Sequence, residues 1–163
     1  MTRWLSEPQQ REWRAFLSVL NLLPVQFSKV LQDNFGISLA DYEILVRLSE
    51  SEDRALRMSE LAAATLASRS RLSHQIDRME RAGLVSRRAC LDDRRGSWAE
   101  MTDAGWKLLV QAAPHHVESV REHLVDVLTD AEFSELGRIS SKILNNLSPD
   151  LQEKIIGFPE NTN

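Results

Sequence analysis

One cysteine in 163 residues, Cys90, leaves no partner for an intramolecular disulfide and too few thiols for a cysteine-built zinc site. A small core residue is the ordinary role of such a thiol, with redox sensing the alternative. Long apolar runs are also missing: none approaches the roughly 20 residues that a bilayer span requires, and MTRWLSEPQQREW at the N-terminus has no apolar block of the signal-peptide kind. A cytoplasmic location without membrane contact is the expectation. Catalytic signatures are scarce as well. There is no glycine-rich phosphate loop, no HExxH pair and no Gly-x-Ser-x-Gly elbow, and Cys90 has no histidine near it in sequence. Neither an enzyme nor a cofactor is expected.

The most telling deficit is lysine. Residues 54–95 carry ten arginines (54, 57, 69, 71, 78, 81, 87, 88, 94 and 95), no lysine and five acids, for a local charge of +5. The remainder holds ten cations and nineteen acids, so a basic island sits inside a chain whose net charge is −4. Arginine is the side chain whose planar fork suits phosphates and guanine edges, so double-stranded DNA is the expected partner despite the acidic total.

With 42% apolar residues the chain can bury a proper core. Periodicity predicts a helix over residues 10–33, with Pro24 kinking it, then a break at Phe35-Gly36-Ile37. Ser38 with Asp41 three residues on caps a second helix carrying Tyr42, Leu45, Val46 and Leu48. ESEDRALR, residues 50–57, reads as a polar connector, and Ser59 as the cap of a short helix, ELAAAT. Ser68 opens another, in which Leu72, Ile76 and Met79 make one apolar stripe; at about 100° per residue Ser70, His74 and Arg81 lie opposite, with Arg71 and Arg78 on the flank. Gly83 stops it. LVSRRAC and SWAEM then read as two short strands joined by the turn LDDRRG. Thr102 caps a long helix bent at Pro114, and TDAE at 129–132 opens a last one with Phe133, Leu136, Ile139, Ile143 and Leu147 on one stripe.

The expected fold is mainly α with a small β-ribbon. It is a winged helix-turn-helix at 38–101 flanked by dimerisation helices at 10–35 and 102–148, with a tail at 158–163. ELA at 60–62, LSHQIDRMERAGLVSR at 72–87 and DDRRGSWAEMTDAG at 92–105 are together similar to the motifs of the MarR family of multiple-antibiotic-resistance-type transcriptional regulators. The likeness spans about residues 10–147. It implies a homodimer held by the terminal helices, each protomer offering one winged domain to a pseudo-palindromic operator, and a repressor answering to a ligand.

In that frame Ser70, Arg71 and His74 are the candidate base-edge readers, and Ser68, Arg69 and Arg78 the candidate phosphate contacts. Arg95 is assigned to the minor groove at the wing tip and Arg94 to phosphate; Asp93 orients an arginine, and Gly96 lets the turn form. His74, His115, His116 and His123 offer no metal-ligand spacing and read as solvent or interface residues. Trp13, Phe16 and Tyr42 are candidates for an effector pocket, with a small aromatic acid or phenol as ligand. A winged-helix protein-interaction module and a metal- or redox-responsive regulator are the competing readings.

Overall fold

The computed structural model describes residues 1–89 and 96–149. The chain opens with α1 (Glu7–Phe35), which starts at a capping box between Ser6 and Gln9 and ends at Gly36. It runs unbroken through Pro24, as α5 (Asp103–Val120) does through Pro114, so neither proline ends its helix. Ser38 and Asp41 form the expected capping box of α2 (Leu39–Ser49).

The connector is where sequence and structure part. Ala55–Arg57 is a strand, β1, and α3 (Met58–Ala64) starts one residue before Ser59, so Ser59 is not its cap. Three residues are too few to show an alternating pattern, and this strand exists because β3 pairs with it. After the turn come α4 (Arg69–Arg81), β2 (Val85–Ala89) and β3 (Ser97–Met101). The sheet is antiparallel in the order β1-β3-β2, with Leu56 opposite Ala99 and Arg88 opposite Trp98. A π turn at Arg121–Val125 follows α5, and α6 (Asp130–Leu147) begins at the Thr129–Glu132 capping box.

One apolar cluster holds these elements together. Leu31 of α1, Ile44, Leu45 and Leu48 of α2, Leu72, Ile76 and Met79 of α4, Val85 and Ala99 of the ribbon, and Leu109 and Ala112 of α5 are all buried in it. Two faces stay outside. The N-terminal half of α1 is exposed throughout, including Trp13, Phe16, Leu17 and Leu20, and α6 buries none of its residues, leaving Phe133, Ile139 and Ile143 open. No helix among the described residues is long and apolar enough to cross a membrane.

The base of the ribbon is joined to α5 through two glycines. Gly83 adopts φ +72°, a left-handed conformation that a side chain would disfavour, and it turns the chain from α4 into β2. Its carbonyl accepts from the Thr102 hydroxyl at 2.6 Å, while Thr102 N–H donates to the Leu84 carbonyl at 3.1 Å. Gly105, in the first turn of α5, passes beneath that same carbonyl, and a Cβ there would overlap Leu84 O and come within 3.0 Å of Met101 Cγ. Gly105→Ala must therefore push the helix away from the ribbon, at a cost of about 1–3 kcal/mol. Urea unfolding measures this; a loss under about 0.5 kcal/mol would show that the junction yields freely.

Candidate nucleic-acid interface

The helix-turn-helix presents one exposed polar face. Ser68, Arg69, Ser70, Arg71, His74 and Arg78 all face solvent, while Leu72, Gln75, Ile76 and Met79 are buried beneath them. Ser68 caps α4, its hydroxyl accepting from Arg71 N–H at 3.2 Å. The first turn has no acidic residue, so nothing cancels the positive pole of the helix where Arg69 and Arg71 emerge. These two arginines form no ion pair among the described residues.

Arg78, expected at a phosphate, is exposed and also ion-paired within the fold. Its guanidinium reaches back to Asp41 at 2.6 Å, tying the last turn of α4 to the start of α2. Asp41 is 6% exposed and also takes the Ser38 backbone amide at 3.0 Å and the Ser38 hydroxyl at 2.7 Å. Burial alone would raise its pKa; the hydrogen bonds from Ser38 and Arg78, with the Arg78 charge, outweigh that and hold the carboxyl below its ordinary value. Nearby, Arg71, His74 and Arg78 make one wall of a groove of about 940 Å³ whose other wall includes Asp41 and Glu43. Burial raises the Glu43 carboxyl, against the pull of Arg47 and Arg71.

The ribbon is fixed to α4 by Arg87, which pairs with Asp77 and, at 3.2 Å, with Glu80, and donates to the Ser73 carbonyl at 2.9 Å. Arg88 pairs with Glu100 across the strands, and the guanidinium groups of Arg57 and Arg88 each lie 5.5 Å from the ring centre of Trp98. Gly96 stands just ahead of β3. Cys90, Asp93, Arg94 and Arg95 fall outside the described residues.

The motifs and the fold agree with known proteins. The sequence pattern of the MarR family matches residues 35–96. AbsC, a MarR family transcriptional regulator from Streptomyces coelicolor, is 49% identical, with 93% of this chain and 99% of that chain covered and a TM-score of 0.83. The chain belongs to the MarR family. Its members are transcriptional regulators, not enzymes. A second MarR protein, Sco3205 from the same organism, solved in complex with DNA, is 39% identical with a TM-score of 0.88 over 91% of this chain and 93% of its own. The transcriptional repressor MprA of Escherichia coli (strain K12) is 26% identical over 121 residues, 74% of this chain and 68% of that protein.

Of the three effector-pocket candidates in this MarR chain, Tyr42 lines a cavity. That cavity, about 460 Å³, lies between α1, α2, the α3–α4 turn and α5, with Phe27, Leu39, Val46, Leu66 and His116 around Tyr42. Trp13 and Phe16 are elsewhere, packed on one another at 6.3 Å on the exposed half of α1. The residue that sequence reasoning missed is His116, read there as a solvent or interface histidine. It sits 4.5 Å from the Tyr42 ring and 5.6 Å from Phe27, ring centre to ring centre, and its Nδ1 is buried with no hydrogen-bond partner among the described residues. Burial lowers its pKa, so the ring is neutral at physiological pH. Only the packing of α5 on α1 and α2 brings residues 27, 42 and 116 together; no local pattern signals it.

Asp41 supplies the test of this geometry. Asp41→Ala removes a helix cap and leaves Arg78 without its partner, for a loss of about 1–2 kcal/mol in thermal or urea unfolding. Because the folded pKa lies below the ordinary 3.8, the contribution is complete above that value and disappears as pH falls through the folded one. The gap between parent and variant should be constant near neutrality and narrow as pH falls below the ordinary carboxylate range; a gap that does not narrow at all in acid would exclude the carboxylate as its source.

Proposed function

We propose that the protein is a homodimeric repressor that places α4 in the major groove of a pseudo-palindromic operator and the β2–β3 wing in the adjacent minor groove, and that a small aromatic ligand releases it. The observation that carries this reading is the exposed face of α4: base-reading side chains at its start, uncancelled helix charge beneath them, and a buried stripe that fixes the helix rigidly to the domain. Ser70, Arg71 and His74 read base edges, and Ser68 and Arg69 touch phosphates. Arg94 and Arg95, with Asp93 and Gly96, serve the wing, where an arginine suits the strong negative potential of a narrow minor groove. The bared apolar faces of α1 and α6 fit a second copy of the chain, since exposed patches of that kind mark interaction surfaces. DNA complex formation by Sco3205 and the repressor name of MprA support the same reading.

Two measurements decide it. Fragments of the surrounding genome retained by the protein define the operator, and light scattering should give about twice the 18.6 kDa protomer mass. On that operator Arg71→Ala should cost about 1–3 kcal/mol and relax base preference at one position in each half-site. Equal weakening on operator and random duplex would confine Arg71 to phosphate; a monomer would end the dimer reading, and binding without salt dependence the DNA reading.

The Tyr42–His116 cavity is the proposed seat of the ligand. Its lining combines apolar and aromatic side chains with Glu43, Arg47, Glu50 and Thr65, and the Nδ1 of His116 offers one directed hydrogen bond to a phenol or a carboxylic acid. Leu66, which lines it, lies in the turn between α3 and α4 at φ +54°, so a ligand there bears on the segment that aims α4. Benzoic, salicylic and hydroxycinnamic acids should be screened for operator release. His116→Phe keeps the aromatic wall and removes the hydrogen bond, so the releasing concentration should rise roughly five- to tenfold with operator affinity unchanged. Release at the parent concentration would move the ligand elsewhere.

A further inference from the structure

Between α4 and the wing lies a second cleft, of about 430 Å³, in which Arg57, left in the polar connector by the sequence reading, stands beside Arg69. Arg57, Ser59, Arg69, Ser73, Arg87 and Ser97 line it, above Met58 and Leu72. Three guanidinium-bearing residues and three hydroxyls border it, and no carboxylate does among the described residues. Arg87 is committed to Asp77 and Glu80. Arg57 and Arg69 form no ion pair among the described residues; Arg57 only lies against Trp98. Two positive charges therefore face an opening with hydroxyl donors around it.

We propose that this cleft is a phosphate seat for the operator backbone, with Arg57 of β1 as a DNA contact in addition to those of α4 and the wing. The inference rests on the DNA reading above. With α4 in the major groove and the wing in the minor groove, the sugar-phosphate strand that divides the two grooves must pass between those elements. The cleft occupies that position, bounded by Arg69 and Ser73 on α4 and by Arg87, Gly96 and Ser97 of the ribbon. A phosphate carries one negative charge and oxygens that accept from guanidinium and hydroxyl groups, which is the complement of what this lining offers. Trp98 holds the Arg57 side chain against the sheet, so the guanidinium loses less conformational freedom when the strand arrives.

The experiment is a salt titration of binding by the full-length protein to two fluorescein-labelled 30-base-pair duplexes, the selected operator and one of random sequence. Arg57→Gln should weaken both to the same degree, by several-fold to about tenfold per bound protomer near 0.1 M salt, and make the log-log slope shallower by about one unit per protomer. Arg57→Lys, which restores charge without the planar fork, should return most of the slope. An Arg57→Gln protein that melts lower yet keeps the parent slope would reduce Arg57 to a support for Trp98 and overturn the proposal. Should Arg57→Gln fail to fold, Arg57→Met, which keeps an apolar stem against Trp98, carries the test: its slope must fall likewise, and an unchanged slope overturns the seat. A parent protein without salt-dependent binding would fail at the DNA reading itself, whereas a parent that binds steeply beside an unchanged Arg57→Gln protein would fail the cleft alone.

Discussion

Arg87 makes one body of the two elements that must address different grooves of the same duplex. From β2 it holds Asp77, Glu80 and the Ser73 carbonyl, spanning two turns of α4. The side chains are partly solvated, so each ion pair adds little stability, within about 1 kcal/mol. Its consequence is geometric and electrostatic. The angle between helix and ribbon is set by three contacts from one planar group, and the two carboxylates of α4 are neutralised on the side away from its N-terminal turn. A helix whose acids were unpaired would repel the polyanion that its first turn attracts.

The same accounting revises what the arginine cluster means. Eight of its ten members lie in the described residues, and most of them serve the fold: Arg78 holds Asp41, Arg81 bonds the Asp77 carbonyl of its own helix, Arg87 and Arg88 pair with acids, and Arg54 lies 4.1 Å over Trp106. Among the described residues Arg69 and Arg71 on α4, and Arg57 in the cleft, form no ion pair, while Arg78, expected at a phosphate, is shared with Asp41. The island of positive charge was a sound signal of where DNA would be met, but a poor count of the contacts, because every guanidinium looks alike until its neighbours are known.

What the sequence made readable follows from the range of the interactions concerned. The caps at Ser38, Ser68, Thr102 and Thr129 were legible, since each is a side chain bonding a backbone amide three residues away. The stripe Leu72, Ile76 and Met79 was legible from helical period, and Gly83 from its place after the last turn. β1 was not, because Ala55–Arg57 owes its conformation to β3, more than forty residues on. Tyr42 was picked out with Trp13 and Phe16 as aromatics in segments that, by family resemblance, border an effector cleft. Packing separates them: Tyr42 meets His116 in a cavity, whereas the other two lie bare on α1. Aromatic character says that a side chain seeks cover, and only the tertiary arrangement says whether a ligand, a core or another chain provides it.

Within the proposed function, α2 is the element that joins the ligand seat to the DNA face. Asp41 and Tyr42 are neighbours on it, and about 100° of helical rotation separates their directions. Asp41 grips Arg78 in the last turn of α4, and Tyr42 packs beside His116 on α5. Leu66, which also lines the cavity, lies in the turn that leads into α4. A ligand between Tyr42, His116 and Leu66 would thus touch both supports of the recognition helix, its entry turn directly and its last turn through one helix residue and one ion pair. Close-packed interiors do not absorb such an intrusion locally, so the adjustment must appear as a change in the attitude of α4. Because Arg87 locks the wing to that helix, the ribbon would move with it. Release would then require no separate signal at the wing.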